Sequence, residues 1–123
     1  MISEDGGRGG ATENSDLARM HRELVALIAQ LERSIDDAPN AAAIGVISDQ
    51  IVEVNARATA AGRLLLVAQS EEISRLARRV SAAIPDVQRQ IEDLDRFEAV
   101  VRSVAGVLDA ADGAIRAATL LGQ

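Results

Sequence analysis

The chain has 123 residues, a length typical of one domain, and 48% of them are hydrophobic, as in globular proteins. Its net charge is −6 and it has no cysteine. The negative charge argues against general nucleic-acid binding, which needs clustered positive charge, and the lack of cysteine excludes disulfides and thiolate chemistry. Because Phe97 is the only aromatic residue, small and aliphatic side chains must build the core, which favours closely packed helices.

The start of the chain carries no pattern of an export signal. Residues 1–13 contain several glycines and no apolar periodicity, which predicts a flexible leader before a single helical domain over residues 14–123. A signal peptide would have a basic segment followed by an apolar one, and the leader has neither. The longest dense apolar run, residues 64–68, is too short to span a bilayer. We therefore expect a cytoplasmic protein with no membrane span.

The first predicted helix begins near residues 14–16, where asparagine, serine and aspartate are good N-cap or first-turn residues. Apolar residues then recur every three or four positions, as one face of a helix requires. These residues are Leu17, Met20, Leu24, Leu27, Leu31 and Ile35. The helix is expected to end before Pro39, because proline disfavours a helical conformation at the residue that precedes it.

The second predicted helix starts near Asn40 and has a heptad-like apolar face. This face comprises Ile44, Ile47, Ile51, Val54, Ala58, Ala61, Leu65 and Ala68. Beyond Ser70 the face shifts by one residue, to Ile73, Leu76, Val80 and Ala83. Two interpretations stay open, namely a continuous helix that absorbs a drift against the heptad, and a break at which Ser70 caps a new helix.

Pro85 is predicted to end that helix and to lie in the first turn of the last one. The last helix has the most regular heptad: Leu94, Phe97, Val101, Val104, Leu108, Ala111, Ile115 and Ala118. A turn at Ile84–Pro85 would place the small residues of 56–62 against those of 107–113, in antiparallel register. The sequence thus predicts an all-α, coiled-coil-like antiparallel bundle of three long helices, or of four if the chain breaks near Ser70.

Acidic residues precede arginines by four positions at five places, which predicts solvent-facing pairs along the helices. The predicted pairs are Glu53–Arg57, Glu71–Arg75, Glu92–Arg96, Glu98–Arg102 and Asp112–Arg116. Arg75, Arg78 and Arg79 form the one basic cluster, either a solvated face or a contact for an acidic partner.

Residues for catalysis, cofactor binding or metal binding cannot be assembled from this sequence. His21 is the only histidine, which excludes a multi-histidine metal site. Ala18 stands where the Glu-x-x-His motif of di-metal bundles requires a glutamate. We therefore expect no enzyme, no cofactor and no metal. His21 is either a boundary residue that packs against its helix neighbours or a phosphotransfer site.

The predicted contact surface follows from helix length. At about 1.5 Å per residue, the first helix is too short to cover the other two, whose remainder would form a two-helix arm. Such an arm cannot bury its own apolar stripe, so another chain is expected to cover it. The predicted partner-binding residues are Ile73, Leu76, Val80, Val87, Ile91, Leu94, Phe97 and Val101.

These observations favour a non-enzymatic, protein-binding helical bundle, adaptor-like or chaperone-like, that associates with itself and with another protein. One alternative is histidine phosphotransfer through His21. Another is a coat on a hydrophobic granule, although such coats use broad apolar faces with basic rims and this chain is acidic.

Overall fold

The computed structural model describes residues 15–65, 70–93 and 97–121. Within these ranges the chain forms four α-helices, which are α1 (Ser15–Ser34), α2 (Ala41–Gly62), α3 (Glu71–Ile91) and α4 (Phe97–Leu121). The same ranges contain no strand. The predicted all-α bundle is confirmed, with four helices rather than three. The predicted leader, residues 1–13, lies outside the described residues.

The helices form two antiparallel hairpins, α1–α2 and α3–α4, that pack against each other. α1 also contacts α3, and α2 also contacts α4, so the pairs α1–α4 and α2–α3 lie on the diagonals of the bundle. Gln50 of α2 donates a hydrogen bond to the Val101 carbonyl of α4, and Arg57, further along α2, bonds Asp112, further along α4. α2 and α4 therefore run in the same direction.

The apolar face predicted for α1 forms the centre of the core. Its five leucine and methionine positions are fully buried: Leu17, Met20, Leu24, Leu27 and Leu31. The helix is followed by a single 3-10 turn, Ile35–Asp37, and Pro39 lies between that turn and α2. The Asn40 side chain then caps α2, because its Oδ1 accepts a hydrogen bond of 2.8 Å from the Ala43 amide.

The break near Ser70, one of the two open interpretations, is the one that the structure adopts. α2 ends at Gly62, and Ser70 precedes α3 in an extended conformation with φ −147° and ψ 135°. The Ser70 hydroxyl makes no capping hydrogen bond, although Glu71 and Glu72 supply the predicted acidic first turn. Because the apolar face shifts by one residue across this break, two separate helices can each turn their face to the core.

The predicted helix end at Pro85 is wrong, because α3 continues through Pro85 to Ile91. A proline inside a helix removes one backbone hydrogen bond and costs about 3 kcal/mol. Packing on both sides compensates for this loss, since Ile84 is 2% exposed and Val87 is fully buried. Pro85 itself lies on the exposed side of the helix, where its ring displaces no core residue.

The apolar face predicted for α4 is rotated relative to the one that the structure buries. The buried residues are Val100, Val104, Val107, Ala111, Ala114 and Ala118. Leu108 and Ile115, which the heptad placed in the core, are only partly buried. The difference arises because α4 contacts both α2 and α3, so its buried face is set by two neighbouring helices instead of by the seam with a single partner helix.

The predicted meeting of residues 56–62 with 107–113 occurs, but the predicted direction is wrong, because α2 and α4 are parallel. Arg57 Nε lies 3.0 Å from Asp112 Oδ1 and Arg57 Nη2 lies 3.1 Å from Asp112 Oδ2. Arg57 also bonds Glu53, as the sequence predicts, whereas Asp112 bonds Arg57 instead of Arg116. The hydrogen bonds that the Arg57 guanidinium donates to the Asp112 carboxylate raise the pKa of Arg57 above its ordinary value.

Replacing Pro85 with alanine should stabilise the bundle by about 2 kcal/mol, because it restores an amide donor to α3 and loses only some unfolded-state rigidity. Urea unfolding followed by circular dichroism measures the change. A destabilised variant would contradict a continuous α3 and would favour the turn at Pro85.

A double-mutant cycle on Arg57→Ala and Asp112→Ala should give a coupling of about 0.5–1 kcal/mol, because the pair is two-pronged but partly exposed to solvent. The exposed pair Arg19–Glu23 within α1 serves as the control, and its coupling should be smaller. Zero coupling at Arg57–Asp112 would argue against the parallel packing of α2 and α4.

Candidate functional site

The predicted partner-binding residues do not form one open stripe. Three are 0–1% exposed within the core of the chain itself: Ile73, Val80 and Val87. Four are partly buried: Leu76, Ile91, Phe97 and Val101. The eighth, Leu94, lies outside the described residues. The expected two-helix arm is wrong, because the break before α3 folds the chain into two hairpins of similar length that cover each other.

An open groove instead lies on the outer side of the hairpin α3–α4. Between the start of α3 and the end of α4 it forms a cavity of about 480 Å³. Its apolar lining consists of Ile73, Leu76, Gly113, Ala117, Leu120 and Leu121. A second cavity of about 280 Å³ shares Leu76 and Gly113 with the first and continues along the hairpin past Gly106 and Ala110. We call the two cavities together the α3–α4 groove.

Small residues of α4 keep this groove open. Gly106, Ala110, Gly113 and Ala117 are spaced alternately by four and three positions, so they share one side of the helix. A Cβ atom built on Gly106 or on Gly113 would meet no described atom within 4 Å. The apolar periodicity did not reveal this second stripe, because alanine and glycine at helical spacing also suit a buried seam. The sequence feature that could have revealed the stripe is the seven-residue spacing of Gly106 and Gly113, which places both glycines on one side of α4 next to its buried face.

Two leucines at the end of α4 border the groove and remain largely exposed. Leu120 is 64% and Leu121 48% exposed, although leucine side chains are usually buried in cores. Burying such a side chain fully contributes about 1.5–3 kcal/mol. A chain that filled the groove would therefore gain apolar contact with both leucines and with Leu76.

Charged residues of both signs line the groove in equal numbers. Glu72 and Arg116 border the first cavity, and Arg79 and Asp109 border the second. None of the four forms an ion pair with another described residue. Their charges cancel, whereas the whole chain carries −6. The rim of the groove is thus neutral and has both donors and acceptors available for a partner.

His21 is a half-buried residue of α1, and its ring faces the end of α2. Its Nε2 atom is 3.2 Å from the position that a Cβ atom of Gly62 would take. Glycine at position 62 thus leaves room for the imidazole ring. This contact agrees with a boundary histidine that packs against a neighbouring helix, and phosphotransfer through His21 stays a hypothesis that no contact favours.

The described ranges contain no group of three or more histidine, aspartate or glutamate side chains placed to hold a metal ion. No helix within them is long and apolar enough to cross a membrane.

Comparison with protein-family models, with curated proteins and with solved structures finds no significant match for this chain. Among the described residues, the α3–α4 groove combines an apolar lining with four charged side chains that form no ion pair with another described residue.

Gly45→Ala should stabilise the chain by up to about 1 kcal/mol, because alanine is the better helix former and a Cβ atom there meets no described atom within 4 Å. Gly62→Ala should gain clearly less, since its Cβ would press on the His21 ring. Thermal unfolding compares the two variants. Adding His21→Ala should recover the gain at position 62, and equal gains without it would contradict the packing of His21 on Gly62.

Proposed function

We propose that this chain is a non-enzymatic, adaptor-like or chaperone-like bundle that binds another protein chain, and itself, through the α3–α4 groove. The observation that carries the proposal is an apolar groove, lined by small residues and closed at one end by the exposed Leu120 and Leu121. We place this activity in the cytoplasm, since a chain without cysteine gains nothing from an oxidising compartment.

The chemistry of the groove supports protein binding. Protein interfaces combine an apolar centre with a polar rim, and the groove has Leu76 and the small residues of α4 at its centre and four charged residues around it. Small side chains also allow a second helix to approach closely, which is how amphipathic helices occupy grooves on helical proteins. A partner helix would bury the exposed leucines and pair the free charges.

The same chemistry is poorly suited to catalysis. The titratable groups in the lining are two carboxylates and two guanidiniums. Arginine stays protonated at physiological pH, so it cannot act as a general base. The carboxylates of Glu72 and Asp109 line different cavities of the groove. These features favour binding over acid–base chemistry as the use of the groove.

The proposal keeps part of the surface predicted from the sequence. Ile73 and Leu76 belong both to the predicted stripe and to the lining of the groove. Ile73, Val80 and Val87 are 0–1% exposed, so Leu76 is the residue of the predicted stripe that both lines the groove and is open to a partner. The proposed binding surface therefore differs from the predicted stripe, because it lies on the outer side of α3 and α4.

The test fills the groove without disturbing the fold. Gly113→Leu places a large side chain where both cavities meet, and its Cβ has open space. Gly45→Leu is the matched control, because it makes the same change at another open helical glycine, on α2 and outside the lining of the groove. Both variants should fold at least as stably as the wild type, since leucine is a better helix former than glycine.

Tagged wild-type and variant chains are then compared for the proteins that they retain from the cells in which they are expressed. We expect one or more chains, a second copy of this chain included, to bind the wild type and Gly45→Leu equally and to bind Gly113→Leu at least about tenfold less. If no chain shows this difference, the groove is not the binding surface and the proposal fails.

A further inference from the structure

We propose that the α3–α4 groove is occupied by the same groove of a second copy, with the two α4 helices antiparallel around a two-fold axis that passes close to Gly113. This inference rests on the proposed function, because it names the occupant of the same site. It is carried by two kinds of self-complementarity in the groove, one of charge and one of shape.

The charges of α4 are arranged for pairing with a second copy. Asp109 and Arg116 both border the groove, and neither has an ion-pair partner among the described residues. They lie four residues before and three residues after Gly113. An antiparallel contact centred there brings Asp109 of one copy beside Arg116 of the other, and the symmetry forms this pair twice.

The shape of α4 follows the same symmetry. Leu120 and Gly106 lie seven residues on either side of Gly113, so Leu120 of one copy reaches Gly106 of the other. Leu120 is 64% exposed, and a Cβ atom on Gly106 would meet nothing described within 4 Å. The protruding Leu120 side chain of one copy would thus fill the open space beside Gly106 of the other copy. Gly113 at the centre lets the two backbones approach closely.

The charge balance of the chain also favours this face for self-association. Two copies that each carry −6 repel one another over most of their surfaces. The rim of the groove is neutral, with Glu72 and Asp109 set against Arg79 and Arg116. Contact through this rim brings together the faces with no net charge, and it leaves the excess acidic residues on the outer sides of the dimer. A strongly basic or acidic partner would not find a matching charge in this groove.

A charge exchange tests the two-fold pairing directly. Asp109→Arg and Arg116→Asp each place like charges opposite one another at both symmetric positions, so each should weaken dimerisation by about tenfold or more. The double variant Asp109→Arg with Arg116→Asp exchanges the signs and should restore the wild-type dissociation constant to within about threefold. Sedimentation equilibrium measures all four proteins.

The double variant distinguishes ion pairs between two copies from ion pairs within one copy. Position 109 shares a cavity with Arg79, and position 116 shares one with Glu72, so any repulsion inside the chain persists in the double variant. Recovery in the double variant can therefore come only from the second copy. Asp49→Arg and Arg22→Asp are the matched controls, since they make the same charge changes at exposed positions outside the groove.

A single introduced cysteine gives an independent measurement, because the chain has none of its own. Gly113→Cys lies beside the proposed axis and should be joined efficiently to a second copy by a short bis-maleimide cross-linker, whereas Gly45→Cys should not. Two results would overturn the inference, namely a monomeric wild type at about 10 µM and a double variant as weak as the singles. If the wild type is monomeric while Gly113→Leu still loses the binding of a different protein, the binding of another chain through the groove stands and self-association fails.

Discussion

Close approach between helices is the constraint on which the rest of this structure depends. The core has no tryptophan or tyrosine, so alanine, valine, leucine and isoleucine fill most of its space, with Met20 and the partly buried Phe97 as the exceptions. Ala58 and Ala61 of α2 and Ala111 and Ala114 of α4 are nearly or fully buried in this core, and the two helices contact each other. Such small side chains make good contact only when the backbones come near each other. Two hairpins of moderate length provide four such seams, which three longer helices would not.

The sequence predicts most reliably where a buried face is made of large side chains. The leucines of α1 have one possible face, and the structure buries it as predicted. Prediction was weaker near Ser70, because the one-residue shift of the apolar face fits both a drift and a break. It was wrong at Pro85, because local proline chemistry favours a helix end while Ile84 and Val87 together favour continuation. The outcome depends on packing with α1 and α4, which no local pattern contains.

The candidate site could be predicted only in part, for a related reason. Ile73 and Leu76 were identified because they are large and periodic, and both line the groove. The α4 side of the groove was missed, because it is lined by glycine and alanine residues, which matter here for the space that their small side chains leave open. Periodicity shows that Gly106 and Gly113 share a face, but it does not distinguish a tightly packed seam from an open one. Only the positions of neighbouring helices make that distinction, and they leave both glycines with open space.

α4 therefore has small residues on two of its sides, and the two sides have different energetic consequences. On the inner side, Ala111, Ala114 and Ala118 are fully buried, and their size is used by the packing of α2 and α3. On the outer side, each glycine lowers helix stability by about 1 kcal/mol relative to alanine, and no described neighbour benefits from its small size. Within one copy this arrangement only weakens α4. When another helix lies against that side, close contact and the further burial of Leu120 and Leu121 contribute free energy of the same order as the loss in helix propensity. The outer stripe of α4 adds nothing to the stability of the described single chain, and the proposed association is the arrangement in which its small residues would have a contact to make.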